Sequence, residues 1–276
     1  MGYEFSLGHL TALECPPPEL VRIAGDCGYE FASLRPVFFG LPGEANYELA
    51  KNARMLKDTK QAVSYTGVKI HDIELFRIAA DRDVRDYEPA LAVGAELGAK
   101  NLISSIWDDD LNRAADQFAL LVELAFKYEI NVNLEFPSWS SVWDMQGALA
   151  ILKAQSRKNV GLLVDTLHFS RSRIALEELD SVPASYINFI HLCDAPGQIP
   201  DRSNKEALIH TGRDARLYIG EGGIDIAAIL NRLPAVVCSI ELPNLERVKE
   251  YGAKEHARRC LASAKEYFAS KNVRGK

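Results

Sequence analysis

Four short hydrophobic runs in this 276-residue chain arrive at a side chain that can hold a metal. INVNLEF carries Glu135, VGLLVD ends on Asp165, INFIHL carries His191 and VVCSIEL carries Glu241. Three carboxylates and an imidazole gathered without a partner would repel one another and lose hydration. A divalent cation cancels most of that charge. An oxygen-rich set with one nitrogen suits Mn²⁺ best among the candidates, with Mg²⁺, Co²⁺ and Zn²⁺ also fitting. Taken singly, each residue has a plainer reading: a strand-end acid is usually a cap or a salt-bridge partner, and a strand histidine a satisfied core group. The repetition on four consecutive runs is what points to one bound metal ion.

Such groups can meet only if the elements carrying them are arranged around one point. Eight β-rich runs recur along the chain: Tyr3–Leu7, Tyr29–Leu34, Val68–Leu75, Asn101–Ile106, Ile130–Phe136, Val160–Asp165, Ile187–Leu192 and Val236–Leu242. Segments with helical spacing lie between them, clearest in Ala115–Glu129, where Phe118, Leu121, Val122, Leu124 and Ala125 form a stripe. Alternating strands and helices imply right-handed crossovers and a parallel sheet. Eight units over this length predict an α/β fold, a single (β/α)8 TIM barrel spanning residues 1–276. An open doubly wound sheet fits less well, because the first strand runs into GHLTALECPPPEL and not into a G-x-G-x-x-G turn. In a barrel the site forms at the C-terminal strand ends, where the four groups would share one rim. Pleat parity then turns Asn133, Leu163, Phe189 and Ser239 to the same inward face. Asp194–Tyr218 reads as a long irregular loop after the seventh strand.

Composition removes several function classes. With Lys+Arg 32 against Asp+Glu 38, the net charge is −6, a poor footprint for nucleic acid. Five scattered cysteines without a C-x-x-C suit a reducing cytosol. MGYEFSLGHL shows neither a charged leader nor a long apolar run, so no signal peptide, no membrane association and a cytoplasmic location are expected. A homodimer or homotetramer is the default assembly.

Other residues are candidates for substrate contact. Arg216, near the Gly-rich turn GEGG, is suited to a carboxylate or phosphate, with Arg213 as its neighbour. His9 and His71, at or near the ends of strands one and three, could reach substrate hydroxyls, and His210 falls in the long loop. Trp107, Trp139 and Trp143 follow barrel strands, and Trp107 is placed over a polyol face. His256 belongs to a charged terminal helix and reads as surface; Cys193 reads as a small filler.

NLEFPS, VDTLHF, IHLCDAPG, GEGGID and SIELPN together resemble the xylose isomerase-like sugar phosphate isomerase/epimerase superfamily, over essentially the whole chain. The resemblance implies that Glu135, Asp165, His191 and Glu241 ligate one divalent metal, and that His168 hydrogen-bonds a substrate oxygen. It further implies that Glu135 and Glu241 are the catalytic pair, exchanging a proton on a small polyhydroxy carbonyl compound through an enediolate. Many of the family's epimerases carry an arginine shortly after the strand-seven histidine; here none occurs before Arg202. A metal-dependent dehydratase of a cyclic hydroxyketone, of inosose or dehydroshikimate type, is the alternative. A nuclease of the endonuclease IV kind would need more histidines and a less acidic surface, and a non-catalytic binding relative would have no use for both glutamates.

Overall fold

The computed structural model describes residues 3–40, 44–271 and 273. Its strands are β1 (Phe5–Leu7), β2 (Phe31–Leu34), β3 (Lys69–Ile78), β4 (Asn101–Ile106), β5 (Asn131–Glu135), β6 (Val160–Asp165), β7 (Phe189–Leu192) and β8 (Val237–Ile240). They pair in chain order, all parallel, and β8 returns to β1 through Phe5↔Cys238 and Leu7↔Ile240. The result is one closed (β/α)8 barrel, with every expected strand present.

The helices are α1 (Pro17–Cys27), α2 (Ala53–Thr66), α3 (Glu88–Glu96), α4 (Leu111–Phe126) and α5 (Met145–Lys153). They continue as α6 (Thr166–Arg171), α7 (Lys205–Asp214), α8 (Ile226–Arg232), α9 (Leu245–Tyr251) and α10 (Ala253–Lys271). Local chemistry explains several of their starts. Asp110 accepts the Asn112 and Arg113 amides ahead of α4, Asp144 accepts the Gly147 amide ahead of α5, and Asp225 accepts the Ala228 amide ahead of α8. The α4 stripe is buried as its spacing demands.

Strand side chains divide by parity. Leu134, Leu162, Val164, Ile190 and Ile240 pack outward in the main hydrophobic core. Ile103, Leu163, Phe189 and Val237 turn inward and fill the barrel, with Phe31 and Leu75 against them. This apolar plug seals the floor beneath the inward residues at the strand ends. Beside it the Asn188 side chain donates to Asn133 Oδ1 at 2.8 Å. Gly161 leaves room for that bond, since a Cβ there would fall 2.5 Å from Asn133 Oδ1.

Three expectations need correction. The third strand runs on to Ile78, so His71 lies near its start and not near its end. The segment Asp194–Tyr218 is not wholly irregular: it contains α7, which carries His210 on an exposed face. His256 is fully buried, not on the surface. It recurs at four-residue spacing with Cys260, Ala264 and Phe268 on the inner side of α10. Its Nε2 lies 2.9 Å from the Leu242 carbonyl and its Nδ1 lies 3.1 Å from the Tyr218 hydroxyl, so the imidazole satisfies two buried polar groups. Among the described residues, no helix is long and apolar enough to cross a membrane.

Candidate metal centre

β5 and β6 end directly on Glu135 and Asp165, β7 carries His191, and Glu241 follows the last residue of β8. One ligand atom from each lies within 4.8 Å of the other three, and all four residues are buried. His191 Nδ1 is 3.5 Å from Glu135 Oε1, 3.4 Å from Glu241 Oε2 and 3.9 Å from Asp165 Oδ2. These approaches lack hydrogen-bond direction. Neither ring nitrogen of His191 has a hydrogen-bond partner, nor does Glu135 Oε1. Buried polar atoms are rarely left this way in native proteins. A cation would engage one ring nitrogen of His191 together with Glu135 Oε1, so the residues fit a divalent metal.

Asp165 turns its two oxygens to different partners. Oδ1 accepts the Leu167 amide at 2.7 Å and caps α6. Oδ2 accepts from Arg216 Nη1 at 2.7 Å and faces His191. Arg216 is itself buried and spends its guanidinium on the protein. Nη2 pairs with Glu241 Oε2 at 2.8 Å, Nη1 also donates to the Glu241 carbonyl at 3.0 Å, and Nε donates to the Gly212 carbonyl at 2.8 Å. The residue expected to grip a substrate anion therefore braces two of the carboxylates.

A chain reversal delivers it there. Asp194 bridges to Leu217, Ala215 bridges to Asn244, and the Arg216 amide donates to the Pro243 carbonyl at 3.0 Å. Asp194 in turn accepts the Gly220, Gly222 and Ile224 amides, which holds the glycine-rich turn.

Charge coupling runs through the whole group. Burial alone would lower the His191 pKa, but the Glu241 and Glu135 carboxylates raise it well above its ordinary value. Burial would raise Glu241, yet His191 and Arg216 pull it well below the usual carboxylate range. For Arg216, burial is outweighed by Asp165 and Glu241, and the guanidinium is held firmly charged.

His168 stands on α6 with Nε2 3.9 Å from Asp165 Oδ2. Its Nδ1 accepts the Ser138 amide at 3.3 Å, and burial lowers its pKa against the pull of Asp165 and Glu135. This favours a neutral ring with Nε2–H turned to the centre. Trp139 lies edge-on to it, 4.8 Å between ring centroids, and touches Gly212. His9 is placed differently from expectation. Its Nε2 bonds the Cys15 carbonyl and its Nδ1 accepts the Arg35 amide, both at 2.9 Å, and burial lowers its pKa to about 4. His71 lies deeper, between the rings of Phe31 and Phe189 and 3.1 Å from Asp72. Trp107 donates its indole N–H to Ser105 at 2.8 Å, with the Arg77 guanidinium 5.0 Å from its ring. Trp143 is covered by Arg202. Cys193 is buried 3.2 Å from Arg216 Nη1, and burial pushes its thiol up to about 12.

Glu74, on β3, carried no sequence signal. Burial raises its pKa to about 7, opposed by Arg35 and reinforced by Glu241, with His191 lowering and Asp72 raising it. The folded protein thus binds this proton more tightly than the unfolded chain. The stabilisation is complete below the ordinary glutamate value of about 4.3 and is lost as pH rises through 7. In EDTA-treated protein, Glu74→Gln should melt higher than the parent at pH 8, with the two curves converging toward pH 5. A difference in melting temperature that is the same at both pH values contradicts this.

The fold and the rim site define a (β/α)8 barrel with a buried cluster that could hold a cation at the C-terminal ends of its strands. Residues 21–273 match the xylose isomerase-like TIM barrel family, and the chain belongs to it. It is 30% identical over 135 residues to an inosose isomerase of Bacillus velezensis. That match covers 47% of this chain and 45% of the relative, less than half the relative's length. The barrel superposes on the crystal structure of the IolI protein with a bound zinc atom, with a TM-score of 0.80 and 19% identity, over 97% of this chain and 99% of that one. It also superposes on the D-allulose 3-epimerase of Methylomonas sp. in complex with D-allulose, with a TM-score of 0.69 and 14% identity, over 96% and 97% of the two chains.

Proposed function

We propose that this protein is a divalent-metal-dependent isomerase or epimerase of a small polyhydroxy carbonyl compound, with Mn²⁺ as its preferred ion. One observation supports it above the others: Glu135 and Glu241 approach His191 Nδ1 to 3.5 and 3.4 Å from two different strands, with buried orphan atoms between them. Glu135, Asp165, His191 and Glu241 would hold the ion. A cation bound there supplies Lewis acidity to a carbonyl and its neighbouring hydroxyl, which acidifies the C–H between them.

The chain's own groups do the rest. One glutamate takes that proton and the other returns it, to the opposite face for an epimerase or to the adjacent carbon for an isomerase. His168 Nε2–H donates to the substrate oxygen that gains charge on proton removal. Arg216 holds the Asp165 and Glu241 carboxylates in place, and the apolar plug and Trp139 keep water from the reacting face.

Incubating the Mn²⁺-loaded protein with a panel of ketoses and cyclic hydroxyketones in D₂O tests the reading. Deuterium should enter at the carbon beside the carbonyl without loss of water. A new enone absorbance would instead identify a dehydratase, and no exchange with any of them would remove the proposal.

A further inference from the structure

Three arginines at the C-terminal side of the barrel lie within reach of one another's charge. Arg35 follows β2, Arg77 lies near the end of β3, and Arg213 sits in the last turn of α7. By pleat parity Arg77 shares the inward face of Leu75, since Phe76 and Ile78 pack outward. Arg35 likewise shares the face of Phe31. After burial, the strongest influences on Arg77 are Arg213 and then Arg35, ahead of Glu44, and together they pull its pKa down to about 10. Arg213 is lowered by burial and next by Arg35, ahead of Asp214 and Glu44.

Three half-buried guanidinia that repel one another are costly unless an anion joins them. No described carboxylate is hydrogen-bonded across all three: Glu74 reaches Arg35 alone, and Glu44 acts on Arg77 and Arg213 more weakly than the arginines do. Arg77 and Arg213 make no side-chain hydrogen bond or ion pair to a described residue, and the Nε atoms of Arg77 and Arg35 are buried without partners. Arg35 has only Glu74, at 3.5 Å, and that contact leaves Glu74 Oε1 without a hydrogen bond. The fork is nevertheless held in place. The Phe39 and Trp107 rings lie 4.6 and 5.0 Å from the Arg77 guanidinium carbon. His9 fixes the Arg35 backbone through its amide. The cluster is linked to the metal centre through Glu74, which lies 3.5 Å from Arg35 and feels the charge of Glu241 and His191.

We infer that Arg35, Arg77 and Arg213 form an anion subsite, and that the substrate is a phosphorylated or carboxylated polyhydroxy carbonyl compound whose charged end docks there. The inference rests on the metal centre being the reacting end, as proposed above. Guanidinium forks suit either oxyanion, and the neutralisation they lack is one that a neutral sugar cannot supply.

The test titrates the full-length protein, as purified and again after EDTA treatment, with inorganic phosphate and with D-glycerate, following heat. Arg77→Gln and Arg213→Gln alter different elements, so misfolding of one leaves the other informative, and circular dichroism melts check both. Arg54→Gln, whose side chain is 93% exposed on α2, is the control. At least one anion should saturate the parent and the control, and each of the two variants should weaken it about tenfold, the effect of one charge-assisted hydrogen bond. Tighter phosphate points to a phosphorylated substrate and tighter glycerate to a sugar acid. Saturation by neither anion, or equal affinity in the parent and both variants, overturns the subsite. Because the comparison holds without metal, its failure is separable from a failure of deuterium exchange at the metal centre.

Discussion

Glu135→Gln is expected to slow deuterium incorporation into a bound ketose by 10²- to 10⁴-fold, the usual span of one general acid–base group. The substitution keeps the shape and an oxygen that can still face a cation, and removes only the ability to carry a proton. Glu135 is the cleaner of the two glutamates to change, because its Oε1 has no hydrogen-bond partner while Glu241 also pairs with Arg216. Glu241→Gln should give a loss of the same order, with an added fall in stability. The d–d spectrum of the Co²⁺-loaded protein must be recorded for both variants. A retained spectrum with lost exchange places the defect in proton transfer; undiminished exchange in Glu135→Gln would falsify the two-glutamate mechanism.

The second large effect is on folding. Arg216→Met should destabilise the metal-free protein by roughly 3–5 kcal/mol, because it leaves buried carboxylates without their cationic partner. Asp165 and Glu241 each lose a contact of 2.7–2.8 Å, and the Gly212 and Glu241 carbonyls lose a donor. Adding Mn²⁺ should recover part of the deficit, since a cation at the same carboxylates neutralises them and stabilises the folded state by mass action. Urea unfolding of parent and variant, with EDTA and with Mn²⁺, measures both quantities. A variant as stable as the parent in EDTA would show that Arg216 does not carry this load. Equal deficits with and without metal would separate Arg216 from the cation site.

Much of the fold could be read directly from the chain, because strand and helix periods are local. VGLLVD and NLISSI become β6 and β4 with the very bounds their composition suggests, and the buried stripe of α4 follows its spacing. The extension of β3 to Ile78 was hidden, since HDIELFRI mixes charged and apolar residues, and the inward charged positions read as a break. His256 was legible in principle: His256, Cys260, Ala264 and Phe268 repeat every four residues, but the surrounding Lys, Glu and Arg residues masked the stripe.

Residue types at the rim were equally visible, while their partners were not. A strand-final aspartate can cap a helix or face a metal, and only the folded chain shows Asp165 capping α6 with Oδ1 while Oδ2 meets Arg216 within the acid–histidine cluster. Arg216 was singled out as an anion binder, yet the bridges from Asp194 to Leu217 and from Ala215 to Asn244 turn it inward to Asp165 and Glu241. Arg35, Arg77 and Arg213 stand far apart in the chain and bear no common motif. By itself, then, the sequence determined the barrel, the four acid and imidazole side chains at its rim and the acidic character, since each depends on local periodicity or on a sum over residues. Only tertiary structure decided which charges neutralise one another, because Coulomb and hydrogen-bond energies depend on distances of a few ångströms that closure of the barrel sets.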